Sequence, residues 1–266
     1  MSQVIDIHYQ NAVNVYNADC LFFIQSSYEE WVMNCLNTVF AFQLYSLPIR
    51  IVDLGCGNGC FVNKFVSHIT PMNNIEECIG IDPYMEWLNV ASTQCNITKT
   101  ICKNANDFST MPPQQMNYSH LLMKEMVHHI DNSTLHNVFH GIYEQLTNDG
   151  RVVIITRPVE TNYPFFERIH HFWKLTQTPY ENVVLSMKEV GFDVSVEIAT
   201  LPVTLQKQEW LSFIKNKTWS VFSMCSEQEM NDGLSMLHKE LEDTITFNET
   251  LIFIVGHKND EINSSK

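Results

Sequence analysis

Three glycines and two carboxylates stand at a spacing that can do chemistry. The stretch Ile51-Val52-Asp53-Leu54-Gly55-Cys56-Gly57-Asn58-Gly59 joins an apolar run to a glycine-rich turn, and Ile79-Gly80-Ile81-Asp82-Pro83 is a second apolar run that ends in an acid. A glycine turn lets a ligand rest directly on backbone N–H groups, because no side chain holds it away. Two motif tests narrow the ligand. A dinucleotide fingerprint, G-x-G-x-x-G/A, requires a small third residue where this chain has Cys60. A phosphate loop requires Lys-Ser/Thr after the turn, and none follows. Asp53 at the first strand's end and Asp82 at the next form an acidic cleft. Such a cleft suits a ligand with cationic groups and a ribose whose hydroxyls one carboxylate can accept, and it repels a pyrophosphate.

A second set lies in Leu121-Leu122-Met123-Lys124-Glu125-Met126-Val127-His128-His129. Glu-x-x-His spacing on a helix would put Glu125 and His128 on one face, as a metal pair requires, but no third or fourth ligand is identifiable and no metal is expected. Base chemistry or polar contact to a substrate is the alternative, with Glu125 or His129 the first choice of general base. His136 and His140 are four apart, but the apolar stripe through Leu135, Val138 and Phe139 turns them to solvent. The aromatic segment from Tyr163 to Trp173 reads either as a packed lid helix or as the wall of a small-molecule pocket. On the pocket reading Phe166, His170 and Trp173 line it, together with His128 and Arg157. Cations are scarce, so Arg157, Arg168 or Lys174 could bind a carboxylate or other anion. Lys215 and Lys217 form a second pair more suited to solvent. Cys56 and Cys60 bracket the glycine turn and read as small core residues, since redox or arsenic chemistry would need a third thiol.

These residues need a frame. Strand-like segments at 49–54, 77–81, 98–102, 118–123 and 151–156 alternate with helix-like segments near 58–69, 84–94 and 132–147. In the last helix Leu135, Val138, Phe139, Ile142 and Leu146 recur at helical spacing, and Asn148-Asp149-Gly150 ends the run. Such alternation predicts a parallel sheet covered on both faces, with ligands beyond the carboxyl ends of its strands. After residue 157 the rhythm changes to helices near 179–190, 207–217 and 226–242, a strand near 192–199 and a final strand at 250–256. The regions 160–177 and 202–240 read as additions covering the ligand edge of a domain spanning 48–258. Residues 1–47 read as N-terminal helices over the ligand site. One of them is capped by Ser27, with Trp31, Cys35, Val39 and Phe42 as its apolar side and Pro48 beyond its end. Residues 259–266 form a polar tail.

Composition sets outer bounds. The chain has 266 residues, 45% hydrophobic and 17% charged, enough for one large domain with a substantial core. Its formal net charge of -14, from 30 acidic and 16 basic residues, argues against a nucleic-acid surface. Eight cysteines occur with no CxxC pair, so no disulfide framework or zinc ribbon is expected. The start, MSQVIDIHYQ, has no charged segment followed by an apolar core, and no apolar run reaches the roughly 18 residues that span a bilayer. A soluble, reduced, cytoplasmic protein is the expectation, and the sequons at Asn96 and Asn132 read as chance.

VDLGCGNG, GIDP, KNANDF, NYSHLLMKEMVHHI and LTNDGRVVIITRP, in that order, resemble class I S-adenosylmethionine-dependent methyltransferases over residues 49–157. The strand LIFIVGHK resembles the antiparallel strand that ends that fold. More weakly, TLQKQEWLSFIKNKTWSVFS resembles the cap of small-molecule enzymes of the trans-aconitate and ubiquinone-biosynthesis type. The resemblance implies a Rossmann-like seven-stranded mostly parallel sheet, with helices on both faces and helical cap additions. It implies S-adenosylmethionine as methyl donor, S-adenosylhomocysteine as product and a small-molecule acceptor. Under it Gly55, Cys56, Gly57 and Gly59 lie beneath the methionine part, Asp53 holds its amino group and Asp82 its ribose. Pro83 and Tyr84 lie near the adenine, as do Asn104, Ala105 and Asn106, with Asn104 standing where the family often has Asp. Lys124 is bulkier than the Ser or Asn expected there, and Tyr9 and Tyr16 could close over the cofactor. An RNA or protein methyltransferase and a non-catalytic cofactor-binding partner subunit are the alternatives; a dehydrogenase is disfavoured by Cys60.

Overall fold

A computed structural model describes His8, residues 26–45 and residues 48–259. Its centre is a seven-stranded sheet built from β1 (Ile49–Leu54), β2 (Ile75–Asp82), β3 (Lys99–Cys102), β4 (Tyr118–Lys124), β5 (Leu146–Thr156), β6 (Asp193–Gln206) and β7 (Thr244–His257), in the order β3-β2-β1-β4-β5-β7-β6. The first five strands pair in parallel, and β7 runs antiparallel to β5. β1 and β4 are buried on both faces almost throughout, which is why they read as continuous apolar runs. Chain order reverses between β1 and β4, and a crevice opens at the carboxyl ends of such a pair.

Helices cover these strands with the apolar sides the sequence prescribes. Helix α1 (Ser26–Phe40) is followed by α2 (Cys60–Ile69), which buries Val62, Phe65, Val66 and Ile69. Helix α3 (Met85–Ala91) buries Trp87 and Leu88, and α4 (Ala105–Ser109) buries Phe108. Helix α5 (Leu135–Gln145) buries Leu135, Val138, Phe139 and Ile142, the stripe expected, but it stops at Gln145. Leu146 already belongs to β5, whose opening residues carry Asp149 at φ 59.

Two expectations are corrected. In α1 the buried residues are Tyr28, Val32, Leu36, Val39 and Phe40, whereas Trp31 and Cys35 are only partly covered, and Ser27 lies inside the helix. The phase was misread because Trp31 and Cys35 belong to an equally apolar neighbouring stripe. The strands expected at 192–199 and 250–256 are parts of the much longer β6 and β7. Their remaining halves alternate. Thr200 and Thr204 on β6 bond across to Thr250 and Thr246 on β7, while Val203, Leu205, Ile245 and Phe247 are buried. A half-polar ladder of this kind leaves no apolar run to see.

The described residues divide into two compact units: one within 33–157, 178–199 and 251–266, the other within 1–32, 158–177 and 200–250. The first carries the parallel strands. The second adds α6 (Glu167–Thr176), then α8 (Lys207–Lys215) and α9 (Glu227–Glu240), with α7 (Tyr180–Val190) falling in the first unit. Rings of Tyr163, Phe165, Trp173, Trp210, Phe213 and Trp219 pack against one another at centroid separations of 4.9–6.2 Å within the second unit. Glu249, fully buried there, accepts hydrogen bonds from the hydroxyls of Tyr163 at 2.5 Å and Tyr28 at 3.3 Å. Among the described residues no helix is long and apolar enough to cross a membrane.

Candidate active site

The glycine turn is folded across the tip of β2. Gly55 N and Cys56 N both donate to Ile81 O, at 2.7 and 2.9 Å. Asp82 then fastens the turn from the side: Oδ2 accepts from Gly57 N at 2.9 Å and Oδ1 from Tyr84 N at 3.0 Å. Gly55, Gly57 and Gly59 hold φ of 83, 53 and 72°, a region that side-chain-bearing residues rarely adopt. At two of them space is also missing. A Cβ on Gly55 would stand 2.8 Å from Cβ of Met126, and one on Gly59 would stand 2.3 Å from Cδ1 of Ile97 and 3.1 Å from Cβ of Ala91. Gly59 thus provides the close helix packing that a dinucleotide fingerprint assigns to its third glycine, which leaves Cys60 free to open α2.

Burial dominates the electrostatics here. Asp53 and Asp82 are 4% and 7% exposed. Burial pushes the Asp53 carboxyl up to about 7, with Lys124 opposing and the charge of Asp82 assisting. Asp82 is pushed up to about 6 by burial, against the pull of the Tyr84 and Gly57 amides. Burial also drives the Cys56 thiol well up, so it is a protonated, unreactive wall. Lys124 Nζ lies 4.8 Å from the centre of the Phe61 ring and acts on Asp53, which places this long side chain on the Asp53 side of β4. Two buried carboxylates whose charge the protein does not fully offset, beside a turn stripped of side chains, suit a ligand that brings positive charge and hydroxyls.

On the β3 side, Asn104 caps α4: its Oδ1 accepts from Asp107 N at 2.9 Å, and its Nδ2 donates to Asp107 Oδ2 at 2.9 Å. The pattern Asn-x-x-Asp before Phe108 was a legible capping signal. Ala105 is buried and Asn106 exposed, Pro83 is exposed and Tyr84 half-buried. Tyr9 and Tyr16 lie outside the described residues.

Beyond β4 the chain turns sharply. Glu125 has φ 58°, its N–H donates to Ile155 O at 2.8 Å, and its carboxylate is ion-paired with Arg157, just past the end of β5. Glu125 and His128 do not share a helical face: Val127–His129 is a single 3-10 turn and Glu125 precedes it. The His128 and His129 rings lie 4.1 Å apart. Burial first, then His129, holds His128 well below the ordinary histidine range, so it is neutral. His129 is exposed. Among the described residues no group of three or more His, Cys, Asp or Glu could hold a metal ion.

Most of the remaining candidates lie in the second unit. Phe166 covers Gly233, where a Cβ would come within 2.4 Å of its ring. Trp173 donates Nε1–H to Pro158 O at 3.1 Å, and both rings are buried. His170 is half-buried beside Phe165, and burial lowers its pKa. Arg168 pairs with Glu229 at 2.9 Å, Lys174 pairs with Glu160, and Lys217 pairs with Glu227 at 2.7 Å. Lys215, His136 and His140 are exposed. The cations singled out by scarcity are therefore mostly engaged by acids of this chain.

Residues 51–150 match a family described as a methyltransferase domain. No curated protein sequence matches the chain. Among solved structures it is similar to YcgJ from Bacillus subtilis, at 14% identity and TM-score 0.60, covering 87% of this chain and 99% of that one. It is similar to the cyclopropane synthase MmaA2 from Mycobacterium tuberculosis, at 11% identity and TM-score 0.58, covering 96% and 97%. It is also similar to phosphoethanolamine N-methyltransferase 2 of Haemonchus contortus, solved with phosphomonomethylethanolamine and S-adenosylhomocysteine, at 17% identity and TM-score 0.50, covering 90% and 59%. The architecture is the Rossmann-like methyltransferase fold. The domain match spans Asp53, the glycine turn and Asp82 and makes this an enzyme of methyl transfer.

Proposed function

We propose that the enzyme transfers the methyl group of S-adenosylmethionine to a small-molecule acceptor by in-line displacement, and that the turn between β1 and α2 seats the cofactor. The observation that carries this reading is the pair of buried carboxylates at adjacent strand ends, Asp53 and Asp82, both raised by burial beside a turn of three positive-φ glycines. Asp53 would meet the amino group and Asp82 the ribose hydroxyls. Each oxygen of Asp82 already accepts one backbone N–H, and each has a second lone pair to offer. Gly55, Cys56, Gly57 and Gly59 would lie under the methionine part, with Lys124 near its carboxylate. Pro83, Tyr84, Ala105 and Asn106 would border the adenine. Because the side chain of Asn104 is occupied by its cap, backbone rather than that amide would meet the base.

When bound, S-adenosylmethionine supplies an already activated methyl group with a good leaving group. The work of this chain is to hold two reactants in line and to keep water out. Glu125 or His129 would take a proton if the nucleophile arrives protonated. Two features support a small acceptor over nucleic acid: the net charge of -14 and the small ligand in the Haemonchus structure. The segment at 204–223 favours the branch typified by trans-aconitate and ubiquinone-biosynthesis enzymes. On this reading residues 48–258 are the catalytic domain, with 1–47, 160–177 and 202–240 as its additions. Incubation with isotope-labelled cofactor and a metabolite extract, followed by mass spectrometry, tests it. Label is expected in small molecules; label confined to RNA or protein would overturn the acceptor assignment.

A further inference from the structure

The ends of β4 and β5 hold polar atoms whose bonds the protein leaves unmade. Oε1 of Glu125, Oγ1 of Thr156 and Nδ1 of His128 are buried and find no hydrogen-bond partner among the described residues. Thr156 is 1% exposed. Glu125 and Thr156 share one place. Lys124 pairs in register with Ile155, and Glu125 N bonds Ile155 O, so the next step of the register sets Glu125 abreast of Thr156. Met126, the residue after Glu125, is the side chain that a Cβ on Gly55 would strike. The cluster therefore begins one residue from the glycine turn.

Its chemistry is set by Glu125. Arg157 is 5% exposed and its guanidinium is taken by Oε2 of Glu125, so the cation here does not await an anion. That pairing fixes the carboxylate through one oxygen and leaves the other unpartnered. A carboxylate oxygen only accepts, while a threonine hydroxyl and a neutral imidazole nitrogen can each accept or donate, so Glu125 sets the demand for a donor. A buried acceptor without a partner has lost its water and gained nothing in return, and a ligand with a matching donor restores the bond. A left-handed φ at a glutamate is itself unusual, and it turns the side chain out of the strand's alternation.

We propose that Glu125, held by Arg157 and flanked by Thr156, is the specificity element for the methyl acceptor, and that the acceptor presents an N–H or O–H there. Its class is an amine, alcohol or phenol, not a carboxylate or phosphate. This rests on the proposed transfer to a small molecule, and the test separates the two. Calorimetry with S-adenosylhomocysteine on the full-length wild type, Glu125→Gln and Thr156→Val comes first; affinities within about twofold of one another show three intact cofactor sites. Labelled products from the metabolite extract are then treated with mild base. The proposal expects base-stable label on nitrogen or ether oxygen. It expects incorporation to fall about tenfold or more in Glu125→Gln and about threefold in Thr156→Val, through KM for the extract's acceptor. Label released as methanol marks a carboxylate ester and overturns the proposal, as does label on carbon or phosphate, or unchanged incorporation in both variants. Should the wild type bind S-adenosylhomocysteine but label no small molecule, the acceptor reading fails and this inference with it. Should Glu125→Gln lose cofactor binding while Thr156→Val keeps it, Glu125 is a cofactor residue and the assignment is overturned.

Discussion

Glu249 and Asp53 are both buried carboxylates, and their surroundings treat them differently. Glu249 sits among aromatic rings in one unit and accepts from two tyrosine hydroxyls, Tyr28 and Tyr163. Nearby indoles are settled too, Trp210 donating to Pro164 O at 2.8 Å and Trp173 to Pro158 O. At the strand ends of the other unit, burial is the largest influence on both Asp53 and Asp82, and Glu125, Thr156 and His128 each keep an unpartnered atom. A polar group matched within the chain holds structure together, whereas one left unmatched in a packed interior costs stability and calls for another role, which we propose is ligand binding. The aromatic segment at 162–175, which reads either as a packed lid helix or as a pocket wall, uses Phe166 and Trp173 in internal packing.

That contrast can be broken by experiment. The largest effect is expected at Asp82. Asp82→Ala removes the acceptor for Gly57 N and Tyr84 N as well as the proposed ribose partner, and calorimetry should show S-adenosylmethionine affinity reduced about 100-fold or more, roughly 3 kcal/mol. Glu249→Leu should do the reverse. Two buried hydroxyls lose their acceptor, stability should fall by about 2–3 kcal/mol in urea titration, and the cofactor affinity of the folded protein should hold within about twofold. A large loss of cofactor affinity in Glu249→Leu would erase the distinction drawn above.

The pH dependence comes next. Because the folded Asp53 pKa, about 7, is above the ordinary value of 3.8, its contribution to the stability of the ligand-free protein is complete below about pH 4 and is lost as pH rises through about 7. Cofactor binding should run the opposite way, since the ionised carboxylate is the partner of an ammonium. Affinity should weaken about tenfold per unit as pH falls below about 7, and Asp53→Asn should flatten that slope while lowering the plateau. The smallest effect is Tyr163→Phe, which removes one of Glu249's two donors: about 1 kcal/mol, a Tm lowered by roughly 2–4 °C, and unchanged cofactor affinity.

Much of the frame was legible because the strands that form it are buried on both faces. β1 begins and ends at the expected residues, and β4 differs by one at its end. The glycine turn and its two acids were legible because the turn's geometry is written in short local stretches. The Glu125–Arg157 pair was not, since 32 residues separate the partners and only the β4–β5 register brings them together. Thr156 gave no signal beyond its place at a strand end. The outer halves of β6 and β7 were hidden by threonines that pair across the strands. In α1 two apolar stripes compete, and packing alone chose between them.

The most direct test of the account is calorimetric titration of S-adenosylmethionine and S-adenosylhomocysteine into the full-length protein and into Asp82→Ala, with Tyr163→Phe as the folded control. One site per chain is expected in the wild type, retained in Tyr163→Phe and lost in Asp82→Ala. Binding that survives in Asp82→Ala at wild-type affinity, or no binding by the wild type, would contradict it.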